Sequence, residues 1–203
     1  MGNQVLLACG MAAGPVFTLA YLLEGASRVD YQPFRHPVSS LSLGRAGWAQ
    51  TVNFLCVGLL SLIFSVGLWN VGPSRCGALL MGTWAAGLLG AGAFQTDPVS
   101  GYPPGTPDRL QHHTRAGALH DLFSLIGFLA LTVACFVFAP SSSPGWVIYS
   151  IASGVFFATT MALASAAFSQ HQRWVDIGGL IQRISLTIGW TWQTLLAVHI
   201  LDA

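Results

Sequence analysis

Six apolar runs, each about as long as a helix that crosses a lipid bilayer, dominate this chain and restrict the folds open to it. A helix rises about 1.5 Å per residue, so a hydrocarbon core of about 30 Å takes about 20 apolar residues. The runs cover Val5 to Leu23, Val52 to Trp69, Ala78 to Phe94, Ala118 to Ala139, Trp146 to Phe168 and Gly179 to Leu201. Each is nearly free of charge and apolar on all faces, whereas a helix on the surface of a soluble domain keeps a polar face. Charged residues make up only 7% of the chain, against about 25% in soluble domains, which need them to cover a wetted surface. The expected fold is therefore all-α: a polytopic transmembrane bundle of six helices, forming one domain over residues 1–203.

The same composition narrows the partners. A formal net charge of +1 supplies no basic patch for nucleic acid, so membrane lipid and a lipid-like or small-molecule ligand are the expected partners. Seven Trp and four Tyr suit helix ends at headgroup level. Cys9, Cys56, Cys76 and Cys135 are scattered and read as small buried hydrophobes, with no pair or histidine at metal-ligand spacing. Leu6-Leu7-Ala8-Cys9 faintly resembles a lipoprotein cleavage box but lacks a basic segment before it. The first run is thus expected to remain as a membrane span, in a multi-pass protein of the cell membrane.

The connections alternate in character. Those after helices one, three and five (Glu24 to Gln50, Gln95 to Gly117, Ser169 to Gly178) are long or polar; Asn70 to Gly77 and Pro140 to Gly145 are short. Six spans place the three polar connections on one side and both termini on the other. Arg28, Arg35, Arg45, Arg109, Arg115, Arg173 and Arg183 fall on or near the polar side and only Arg75 on the other, so the positive-inside rule makes the polar side cytoplasmic. Gly10 and Gly14, and the ladder Gly82, Ala86 and Gly90, are expected to form small-residue faces for close helix packing. No internal repeat of the kind that builds many transporters is visible.

The longest polar interruption, Phe94 to Ser124, holds three of the seven acids, two of the eight arginines and three of the six histidines. Candidates for acid–base or nucleophilic chemistry are His120, Asp97 and Ser40. Candidates for ligand contact are Arg115, Arg183, Gln182, Asp121 and Trp48. Asp97 closes helix three, where a carboxylate must be paired or wet; Arg115, Arg183 or a histidine is the expected partner, and a plain interfacial Asp is the alternative. His120 and Ser124 share a helical face, and His120 is either a ligand-contacting group or a headgroup-level histidine bonded to a loop. Asp121 gains from the helix dipole alone. Gln182 and Arg183 lie one turn inside helix six, where the arginine either snorkels to headgroups or points inward. His199, sixteen residues beyond Arg183, is about 24 Å away along that helix and outside any shared site. The segment from Val38 to Trp48, with Ser39, Ser40 and Ser42, reads as an interfacial amphipathic piece or as a lid over the helix ends.

Several motifs together resemble the bacterial domain-of-unknown-function 998 family. They are Val38-Ser39-Ser40-Leu41-Ser42-Leu43-Gly44 with Trp48 and Asn53, Gly92-Ala93-Phe94-Gln95-Thr96-Asp97-Pro98 followed by Gly117 and His120, Trp146 with Tyr149-Ser150, and Gly179 with Gln182-Arg183. The similarity covers nearly the whole chain. Ser40 departs from it, standing where an acidic residue is expected, as does the histidine-rich insertion around His112. The resemblance implies a six-helix membrane protein and no established activity; the sequence names no cofactor. Two function classes remain. One is a membrane-embedded hydrolase of a lipid-like substrate, whose metal-dependent form would need His120, His113 or His171, and Asp97 to converge. The other is a transporter or a scaffold that binds lipid or a partner.

Overall fold

The computed structural model describes residues 2–141 and 143–202. Its α-helices are α1 (Gly2–Ser27), α2 (Trp48–Val71), α3 (Arg75–Ala93), α4 (Arg115–Phe138), α5 (Pro144–Phe168) and α6 (Gly178–Leu201). All six are long and apolar enough to cross a membrane, and no strand occurs among the described residues. Each expected span falls inside a helix to within one residue. The helices overrun the apolar runs at the ends because caps, not hydrophobicity, decide where a helix stops. Thr114, for example, accepts the Gly117 N–H and starts α4 three residues before the apolar run.

Neighbours in sequence are neighbours in space, and α6 closes the ring onto α1. Large apolar side chains such as Leu19, Leu59, Leu79, Ile148 and Phe156 face outward, while Gln50, Asn53, Ser61, Ser150 and Gln193 are buried. This inversion is what a lipid solvent dictates: apolar groups are stable outside, and polar groups must find partners inside. At the bundle centre Trp84 of α3 donates to Gln193 of α6 at 2.9 Å, and Gln193 reaches Ser61 of α2 at 3.2 Å. Trp192 donates to Ser150 of α5 at 3.0 Å. Such bonds join helices that gain nothing by hiding leucine from lipid.

The small residues act differently from the expected ladder. Gly87, with Gly90, faces α4: a Cβ on Gly87 would stand 2.7 Å from the Gly127 Cα. Ala86 is exposed, and Gly82 meets only the Ser65 side chain. Gly10 lies against Phe64 of α2 and Gly14 against Trp190 of α6, so this pair serves two interfaces rather than one. The α3–α4 contact draws α4 toward α3. Phe157 and Ser185, bonded through the Phe157 carbonyl at 3.0 Å, hold α5 to α6. Helices α4 and α5 touch near their short connection, where a Cβ on Gly154 would lie 3.0 Å from Cys135. Toward the polar end the space between them opens into a cavity lined by both.

The three polar connections meet on one side, as expected, and interlock there. Arg35 of the first reaches Asp108 of the second at 2.8 Å and Asp176 of the third at 2.9 Å. Gln170 donates to Ser100, and Gln95 to the Ser42 carbonyl. Within this cap, burial holds the Tyr31 phenol up at about 12, against the lowering effect of the nearby Arg183 charge. Burial, with the Arg35 charge beside it, pushes the His36 imidazole below its ordinary value. His36 is accordingly neutral, and its Nδ1 accepts the Gln32 N–H at 3.0 Å.

Candidate functional site

The polar end of the α4–α5 gap is built around Asp97, which follows the end of α3 and is buried. Its Oδ2 accepts the Thr114 N–H at 2.9 Å, and its Oδ1 accepts the Thr114 hydroxyl at 2.7 Å. The hydroxyl has its proton on Asp97, so its lone pair is free to accept the Gly117 N–H at 2.9 Å. The His113 Nδ1 lies 3.3 Å from Oδ2. A carboxylate at a helix N-terminus is further favoured by the dipole. A Cβ on Gly117 would overlap this carboxylate, so glycine is what lets the end of α3 dock on the start of α4. The expected partnership with a histidine is met by His113; Arg115 and Arg183 do not reach Asp97.

His120 lies one and a half turns into α4, 3% exposed, with its ring edge-on to Phe54. Its Nδ1 is 3.0 Å from the carbonyls of both Ala91 and Phe94 at the end of α3. Both partners are acceptors, so Nδ1 carries the proton. The remaining nitrogen, Nε2, is then a lone-pair acceptor in the neutral ring, and it has no protein partner among the described residues.

His120 stands on the wall of a cavity of about 620 Å³. Asp97, His113, His120, Asp121, Ser39 and Gln182 line its capped end, and Phe54, Trp84, Phe128, Leu129, Phe157 and Leu186 line its depth. Along α4 it runs from His120 to Thr132, about 18 Å at helical rise, close to one leaflet of a hydrocarbon core of about 30 Å. Asp121, Leu125 and Leu129 of α4 and Ala162 and Ser165 of α5 line it and are themselves exposed. The cavity is therefore open sideways, between two helices long and apolar enough to cross a membrane, and also at its capped end, where Arg109, His113 and Ser169 line it and are exposed.

The other residues singled out from the sequence separate into cavity wall and scaffold. Gln182 lines the cavity while its Oε1 accepts the Val38 N–H at 2.8 Å, pinning the Val38–Ser42 3-10 turn over the site. The turn lies against the cavity, which Ser39 lines and Ser40 does not. Ser40 is fully buried and its hydroxyl has no hydrogen-bond partner among the described residues. Arg183 points inward but away from the cavity. It donates to the carbonyls of Pro33, His36 and Gly179 and to the Tyr31 hydroxyl. Those bonds make it the anchor of the first connection rather than a partner of Asp97. Arg115 and Trp48 are exposed at the starts of their helices, away from the cavity lining. His199 stacks on Trp146 at the opposite end of the bundle.

No three His, Cys, Asp or Glu side chains converge to hold a metal ion among the described residues. The chemistry open to the site is hydrogen bonding, ion pairing and proton transfer at His120 Nε2. The sequence named Ser39 only as one of three serines in its loop, and the apolar walls supplied by Phe128, Met161 and Ala162 were not singled out. Small residues at Ala158, Ala162 and Ser165, spaced three and four apart on α5, were the available signal for a helix face that leaves space.

No curated protein and no solved structure matches the chain. One family does, over residues 11–199. The chain belongs to that family, described as Protein of unknown function (DUF998).

Proposed function

We propose that this integral membrane protein binds a lipid-like amphiphile in the cleft between α4 and α5. The observation that carries this reading is the polarity of the cavity along its length: polar side chains beneath the cap, apolar walls for about one leaflet's depth, and exposed lining residues on the outer sides of α4 and α5. Ligand sites commonly join an apolar lining to a few convergent polar groups, in volumes of about 300–1,000 Å³. A tail entering sideways stays in an apolar medium throughout, and its head meets His120, Gln182 and Ser39 without crossing the interlocked connections.

A second reading rests on His120. Its lone pair at Nε2 is a competent general base, and Ser124 lies one turn further along α4 on the same cavity wall. Deprotonation of Ser124 or of a water beside a bound ester or amide would make the protein a hydrolase of its amphiphile.

Native mass spectrometry of the protein in mild detergent tests binding. The wild type is expected to retain one amphiphile per chain, and Ala162→Phe, which fills the cleft, is expected to lose it. Equal retention by both would overturn the reading. Conversion of the retained molecule, abolished in His120→Gln, would favour the hydrolase.

A further inference from the structure

The cavity's charges specify the ligand's head more narrowly, if the cleft is an amphiphile site as proposed above. Asp97 is satisfied by Thr114 and by His113. Asp121 is not: it lines the cavity and forms no ion pair among the described residues. It lies six residues into α4, about 9 Å from the start of that helix. A carboxylate inside a membrane-spanning helix is costly unless it is paired or wet; Asp121 is exposed at the mouth of the cavity, where water or a ligand's cation can serve it.

The second, independent observation is His120. This side chain is more than nine-tenths buried and lines the same cavity. Its two carbonyl bonds fix the proton on Nδ1, so the nitrogen left without a partner is an acceptor. Among the described residues the Asp121 carboxylate has no salt bridge and His120 Nε2 has no hydrogen-bond partner, so in the neutral ring both are acceptors for a ligand's N–H. Arg109 also lines the cavity, from the exposed second connection at its rim. An anionic head seated at the depth of His120 would meet Asp121 as a like charge.

We infer that the cleft selects amphiphiles whose head carries an ammonium group, paired with the Asp121 carboxylate and donating a hydrogen bond to His120 Nε2. Two sources share this chemistry, a membrane aminolipid and a free long-chain amine. In the aminolipid the phosphate lies beside the ammonium and would reach Arg109 at the rim.

The test follows thermal unfolding of the full chain in dodecyl maltoside, an uncharged detergent, against tetradecylamine, tetradecanol and tetradecanoate. Binding to the folded state alone raises the midpoint. Tetradecylamine is expected to act at about tenfold lower concentration than tetradecanoate, the effect of one partly desolvated charge pair. Asp121→Asn is expected to erase that preference while leaving tetradecanol unchanged, which shows that the variant is folded and its cleft intact. Tetradecanoate acting as well as the amine, or a preference that survives Asp121→Asn, would overturn the inference and leave the cleft itself standing. Failure of all three probes to shift the midpoint, or a tetradecanol shift untouched by Leu129→Trp, would remove the cleft and the head assignment together. Within a positive result, lysophosphatidylethanolamine acting below tetradecylamine, with the gain lost in Arg109→Gln, assigns the aminolipid; the reverse order assigns the free amine.

Discussion

Replacing Gly117 by alanine separates the account of the Asp97 junction from ordinary helix propensity, because the two predict opposite signs. In a helix, Gly→Ala normally stabilises by about 0.5–1 kcal/mol. Here the new methyl would overlap the Asp97 carboxylate, which must withdraw from both the Thr114 N–H and the Thr114 hydroxyl. Hydrogen bonds to a charged group contribute about 1.5–3 kcal/mol each. Loss of both, about 3–6 kcal/mol, offset by the helix gain of about 0.5–1 kcal/mol, leaves a net destabilisation of about 2 kcal/mol or more. For a chain of this size that lowers the unfolding midpoint by about 4–8 °C. The assay is thermal unfolding in mild detergent of Gly117→Ala, Asp97→Ala and the double variant. Once the carboxylate is gone, Gly117→Ala should become neutral or slightly stabilising. Equal destabilisation in both backgrounds, or none in the wild type, would refute the junction as described.

Other consequences follow from the cap and the bundle centre. Arg183→Lys should cost about 2 kcal/mol in unfolding measurements, because one ammonium cannot hold three carbonyls and the Tyr31 hydroxyl; amphiphile retention should survive in the folded fraction. Gln193→Leu should destabilise by about 0.6–1.7 kcal/mol, the range for polar contacts between membrane helices, by thermal unfolding in the same detergent. His36 has its folded value pushed below the unfolded value of about 6.5. As pH falls below about 6.5 the unfolded chain therefore takes up a proton that the folded one refuses, and stability declines. His36→Gln should flatten that part of the stability–pH profile, with no difference in slope above it. Arg35→Ala should cost less than about 1 kcal/mol, since its partners Asp108 and Asp176 are exposed. It should nevertheless speed proteolysis of the 95–114 connection, which those contacts tie down.

Much of this architecture is legible in the sequence because the bilayer imposes one length and one polarity on every span. The alternation of long polar and short connections then places all three polar segments on one side without further information. His120 and Asp97 stand out for the same reason, as ionisable groups beside apolar runs. Their partners do not. The Thr114 hydroxyl and the Ala91 and Phe94 carbonyls depend on how α3 and α4 meet, and that is set by Gly87 against Gly127 rather than by any local pattern. Arg183 shows the limit clearly. Its place inside a span marks it out, but whether it snorkels, turns toward Asp97 or turns toward the Pro33 and His36 carbonyls is a matter of tertiary geometry. The cavity is least visible of all, since it is the space left between two helices, and a sequence writes packing more plainly than space.

The central claim, that the α4–α5 cleft holds an amphiphile, is tested most directly by photolabelling. A long-chain probe with a diazirine near mid-tail is crosslinked to the protein in lipid nanodiscs, and the modified residues are mapped by peptide mass spectrometry. The account predicts saturable labelling confined to residues 125–132 of α4 and 157–165 of α5, competed by unlabelled probe and abolished in Ala162→Phe. Labelling spread evenly over outward-facing positions such as Leu19, Leu59 and Leu62, and indifferent to competitor, would contradict it.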